Sequence, residues 1–95
     1  MFQSLAGRVA IVTGGSKGIG RGLSARFAEV GMNVLVVGRS KADADAAATA
    51  IGPNAVGFAA DVSQAAGCEA MVAFALETWG RIDLLAANAG IFPAA

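Results

Sequence analysis

Eight residues near the start of the chain, Thr13-Gly14-Gly15-Ser16-Lys17-Gly18-Ile19-Gly20, set small residues, a hydroxyl and a cation at a spacing that suits anion binding. Glycine takes the backbone angles of a tight turn cheaply, and it lets the main chain come close to a ligand. If a helix opens near Ile19, its first N–H groups and the positive end of its dipole face the anion. A nucleotide P-loop is excluded, because Lys17 is followed by Gly18 rather than by Ser or Thr, at the wrong spacing. The bland alternative is a glycine-rich turn with no ligand. A second cation, Arg39, stands in Gly38-Arg39-Ser40. Its guanidinium is a planar fork of donors suited to phosphate. Arg39 and Lys17 are either anion-holding groups or ordinary solvated charges.

These residues need elements to hold them. Four apolar runs, Val9–Val12, Asn33–Val37, Ala55–Ala59 and Ile82–Ala87, lack polar alternation, as strands buried on both faces of a parallel sheet do. Three helical patterns lie between them. Ile19–Val30 carries Leu23, Phe27 and Val30 at helical spacing, with Gly31 at its end. Lys41–Ile51 opens on a capping pair, Ser40 with Asp43, and stops at Gly52-Pro53. Gln64–Trp79 carries Val72, Leu76 and Trp79 on one face and ends at Gly80. The order β-α-β-α-β-α-β implies crossover connections, a parallel sheet and helices on both faces. The octet then lies between the first strand and the first helix, which makes it a specific signal.

Composition narrows the function classes. Seven Lys+Arg balance seven Asp+Glu, so no basic patch points to nucleic acid or to an anionic membrane. No apolar run nears the ~18 residues of a spanning helix, and Met1 to Gly7 shows no charged-then-apolar signal pattern. One cysteine, Cys68, and no histidine leave neither a disulfide nor a metal cluster to expect, which fits a reducing, cytoplasmic compartment. Hydrophobic residues are 56% of the chain, more than usual for 95 residues, as if part of the core expects more chain. Phe27, Phe58, Phe74 and Trp79 read as packing groups.

Three motifs in order carry a family resemblance. Thr13-Gly14-x-x-x-Gly18-x-Gly20, then Asp61-Val62 after the third strand, then Ala87-Asn88-Ala89-Gly90 after the fourth, resemble the short-chain dehydrogenase/reductase family. Trp79-Gly80-Arg81-Ile82-Asp83 resembles that family's approach to its fourth strand. The one departure is Ala87, where the family often has Asn. The resemblance implies a Rossmann-type, doubly wound parallel sheet of order 3-2-1-4, cut after its fourth strand, as a single partial dinucleotide-binding domain over residues 1–95. It implies a cofactor cleft formed by Gly14, Ser16, Lys17, Gly18, Ile19 and Gly20. Asp61 and Val62 then meet the adenine ring, although Asp61 also reads as a helix N-cap with Ser63. Asn88, with Ala89 and Gly90, floors the nicotinamide half-site, although Asn88 also reads as a strand-end turn residue.

Cofactor choice turns on the end of the second strand. An acidic residue there holds the ribose hydroxyls of NAD. This chain has Arg39-Ser40 instead, with Lys17 nearby, so NADP is expected and NAD less so. Each charge-assisted bond to a 2′-phosphate adds ~1.5–3 kcal/mol. The family transfers hydride between nicotinamide and a carbonyl or alcohol, using Ser and Tyr-x-x-x-Lys beyond the Asn-Ala-Gly loop. The 95 residues contain no Tyr. The expectation is therefore an inactive N-terminal piece of an NADP-dependent oxidoreductase. The alternative is a non-catalytic nucleotide-binding or interaction module. Cut after the fourth strand, Ile82–Ala87 would lie along an open apolar edge, so self-association by strand addition or by swapped elements is also expected.

Overall fold

The computed structural model describes residues 5–87 and the backbone of residues 90–93. Three right-sized helices alternate with four parallel strands: β1 (Val9–Thr13), α1 (Gly18–Glu29), β2 (Asn33–Gly38), α2 (Lys41–Ile51), β3 (Ala55–Ala59), α3 (Ala65–Trp79) and β4 (Leu84–Ala87). Val9 pairs with Asn33 and Ala10 with Leu84, so β1 is central, between β2 and β4. β3 lies outside β2, and the order 3-2-1-4 is that expected.

The pleat of β1 and β2 divides the core. Ala10, Val12, Val34 and Val36 face one side, packed with Leu23 and Phe27 of α1 and Ala47 and Ala48 of α2. Ile11, Leu35 and Val37 face the other, against Met71 and Ala75 of α3. All five residues of β1 are buried, as the unbroken apolar run predicts. β3, outermost, and most of β4 are half-buried instead, so burial on both faces holds for the two central strands alone.

Two expectations need correction. The far edge of β4 is not open: a fifth strand, β5 (Gly90–Pro93), pairs antiparallel with it, Leu84 opposite Pro93 and Ala87 opposite Gly90. The segment is four residues long and ends in proline, a pattern that marks no strand in a sequence but is tolerated at a sheet edge, where a missing N–H is no loss. In addition, α3 turns a different face inward. Val72 and Leu76 are 37% and 47% exposed, while Met71 and Ala75 are buried and Trp79 is partly so. Phe58 and Phe74 stack with ring centroids 5.0 Å apart, a packing role as expected. Among the described residues, no helix is long and apolar enough to cross a membrane.

Candidate functional site

The site forms where the chain leaves β1 and β2 at their C-terminal ends, on the side of the sheet where crossovers diverge. The Gly15 N–H donates to the Val37 carbonyl at 3.1 Å, which fastens the turn after β1 to the end of β2. Gly14 has φ +69° and Gly18 φ +55°, the left-handed region in which a side chain is strained. At Gly20 the reason is contact, not angle: a Cβ there would collide with the Gly14 carbonyl. The turn thus folds back on the start of α1 and brings backbone close to whatever lies above it. Ser24 is buried and its Oγ donates to the Gly20 carbonyl at 2.9 Å, a brace one helical turn on.

α1 begins without a side-chain cap and without an acid in its first turn. Its first N–H groups and its dipole therefore favour an anion from outside the helix. A cleft of about 480 Å³ opens beside it, lined by Gly14, Ser16, Lys17, Gly18, Ile19, Gly38, Arg39, Ser40 and Asp43. Ile19, a large apolar side chain lining the cleft, is 90% exposed. A smaller cleft of about 180 Å³ adjoins it across Gly14, Gly38 and Arg39, walled by Thr13, Val37, Ala60 and Val62. The two run from the first turn to the end of β3.

Most residues expected to act together are therefore brought together. Asp61 adjoins the smaller cleft in sequence, between Ala60 and Val62, but is not among its lining residues. It does not cap α3, whose N-cap is Gln64 with no side-chain bond. Its Oδ1 instead accepts from the Ser63 hydroxyl at 2.6 Å and the Ser63 N–H at 3.0 Å. The hydroxyl first, then the N–H, then the charge of Arg39 hold its carboxyl below the usual carboxylate range. Ser40 caps α2 by accepting the Asp43 N–H at 3.2 Å, as its spacing predicts. Asn88 and Ala89 lie outside the described residues, and Gly90 is described as backbone in β5.

Three contacts at or beside the site escape a reading by motif. Asp43 lines the cleft and its Oδ2 lies 3.6 Å from Lys17 Nζ, a pairing across 26 positions that no local pattern marks. Gly38 lies close under Ser16: a Cβ there would stand 3.0 Å from Ser16 Oγ, a tight contact that the serine side chain would have to turn to relieve. Gly67 lies so close to the Asp61 carbonyl that a Cβ would collide with it, which holds the start of α3 against the loop after β3. Among the described residues no group of His, Cys, Asp and Glu could hold a metal ion.

A family model described as short chain dehydrogenase matches residues 8–95. The chain belongs to the short-chain dehydrogenase family. It is 44% identical, over 96% of its length, to an uncharacterised oxidoreductase of Methylorubrum extorquens. It is 42% identical, over 95% of its length, to glucose 1-dehydrogenase 2 of Bacillus subtilis. It spans 38% and 36% of these two relatives. Among solved structures, a 3-ketoacyl-(acyl-carrier-protein) reductase from Brucella melitensis complexed with NADH superposes with a TM-score of 0.83 at 43% identity, over 87% of this chain and 34% of that one. A short chain dehydrogenase from Bacillus anthracis superposes at 0.85 with 32% identity, over 90% of this chain and 36% of that one. The matched residues, 8–95, contain both clefts.

Proposed function

We propose that the chain is the cofactor-binding part of an NADP(H)-dependent oxidoreductase that interconverts a carbonyl and an alcohol. The observation that carries this is the pair of cations, Lys17 and Arg39, lining one cleft beside an uncapped helix start. The site fits such a cofactor on its own geometry: Gly14 takes a left-handed φ of +69°, Gly20 has no room for a Cβ, and Ile19 is left to be covered. A nicotinamide dinucleotide, when bound, supplies a hydride donor or acceptor. The first-turn N–H groups of α1 would hold its pyrophosphate. Lys17 and Arg39, with Ser16 and Ser40, would hold a 2′-phosphate, which NAD lacks. Val62 and Ala60 would wall the adenine, with Asp61 beside them to accept from its amino group. Asn88, Ala89 and Gly90 are proposed for the nicotinamide end. The Brucella relative was solved with NADH, which supports the cofactor class and leaves the choice of NADP to Arg39.

The 95 residues contain no tyrosine, and we place the proton-donating group and the substrate pocket outside them, so that this chain by itself is inactive. We place the protein in the cytoplasm, in keeping with the free thiol of Cys68. Self-association belongs to the proposal in an altered form. With β5 covering the edge of β4, two copies would exchange β5 rather than add a strand to a bare edge. Sedimentation at micromolar concentration tests this, and a monomer throughout would remove it. For the cofactor, titration with NADP and NAD, with Arg39→Asp alongside, is the test. NADP should bind at least tenfold tighter, and Arg39→Asp should erase the difference, since each lost charge-assisted bond is worth about one to two decades. Equal binding of the two by the unchanged protein would sink the choice.

A further inference from the structure

Lys17 does not meet the cleft as an unopposed charge. Its Nζ lies 3.6 Å from Asp43 Oδ2, with the side chains 78% and 51% exposed. A pair so wet is weak, so Lys17 leaves it readily for a phosphate. The carboxylate is less free to leave. Asp43 sits in the first turn of α2, where its own N–H is held by the Ser40 hydroxyl, and the dipole of α2 favours a negative charge there. Lys17, Arg39 and Asp43 are the charged residues among those lining this cleft, so its sum is a single positive charge. A 2′-phosphate brings close to two negative charges near neutral pH; a ribose hydroxyl brings none.

We propose that Asp43 is a specificity-determining residue that opposes the 2′-phosphate and holds down the preference of this cleft for NADP over NAD. The inference rests on the reading that a dinucleotide occupies the cleft with its ribose end toward Lys17 and Arg39. Repulsion between one carboxylate and a doubly charged phosphate several ångströms apart, in a water-exposed cleft, corresponds to about a three- to tenfold change in affinity. Removing the carboxyl charge while keeping its shape should therefore strengthen NADP binding and leave NAD binding nearly as it was. Asp45 provides the matched control. It is on the same helix, its Oδ2 lies 2.9 Å from Lys41 Nζ, and it is not among the residues lining this cleft.

Calorimetric titration of the chain, of Asp43→Asn and of Asp45→Asn with NADP and with NAD decides the matter. NAD shares everything but the 2′-phosphate, so its affinity reports whether each variant is intact. The expected result is a three- to tenfold rise in the NADP-to-NAD affinity ratio for Asp43→Asn and none for Asp45→Asn. If the unchanged chain prefers NADP and Asp43→Asn leaves the ratio alone, or weakens both nucleotides equally, Asp43 is a helix-end residue and this inference falls while the cofactor reading stands. If the unchanged chain prefers NAD and Asp43→Asn moves the ratio toward NADP, the cofactor reading falls and the role of Asp43 stands. Failure of both nucleotides to bind any of the three proteins overturns the two together.

Discussion

Asp83 shows how one side chain holds the site's scaffold from a distance. Its Oδ2 accepts the Val9 N–H at 2.8 Å, and its own N–H donates to the Val9 carbonyl at 2.9 Å, so β1 and β4 are joined at their starts, 74 positions apart. Arg81 grips the same carboxylate with Nε at 2.8 Å and Nη2 at 2.7 Å, and Arg8 stands 3.7 Å off. The bond from Arg81 and then that from Val9 hold its carboxyl below the usual range. Asp83→Ala leaves the N–H of a fully buried residue without its acceptor, so chemical denaturation should show a loss of about 1–3 kcal/mol. A folded-state pKa below the unfolded value contributes stability that is present above about pH 4 and lost as pH falls through the folded value. Stability measured from pH 5 to pH 2 should therefore decline more steeply in the unchanged chain than in Asp83→Asn; parallel curves would contradict this. At Gly20, substitution by Ala drives a Cβ into the Gly14 carbonyl, and the turn must open. Dinucleotide binding by Gly20→Ala should be undetectable at concentrations that saturate the unchanged chain. The octet was legible as a motif because glycine requirements are local. The contacts of Asp43 with Lys17 and of Asp83 with Val9 were not legible, because they cross from one element to another.

Elements were legible where punctuation is strong. Ser40 and Gly52 bracket α2, and its bounds, Lys41–Ile51, are those the sequence predicts. Gly80, with φ +77°, ends α3 as a left-handed cap. Which face of α3 turns inward was not legible, for a physical reason. Its fifteen residues include two charges, Glu69 and Glu77, so apolar positions occur all round and the period does not select a face. The sheet selects it: Met71 is 3% exposed and packs with Leu35 and Val37. Met71→Ala should cost about 2–5 kcal/mol. Val72→Ala, on the exposed side, should cost well under half of that. Denaturant midpoints of the two variants check the pair, and a reversed ranking would restore the face read from the sequence. β5 was illegible because Gly90-Ile91-Phe92-Pro93 is shorter than any periodicity and owes its pairing to β4 alone.

At the scale of the molecule, the parallel order 3-2-1-4 places the turn after β1, the end of β2 and the end of β3 along one rim of the sheet. Alternation of strand and helix with right-handed crossovers makes that outcome close to obligatory, which is why the architecture was readable from four apolar runs and their glycine stops. We propose this rim as the place where a dinucleotide binds. Backbone amide chemical shifts of the isotope-labelled chain, followed as NADP is added, test it most directly. Saturable changes should concentrate at Gly14 to Gly20, Arg39, Ser40, Ala60 and Val62. Changes centred instead on the cleft at the opposite end of α2, around Thr49, Gly52 and Val56, or no saturable change at all, would contradict it.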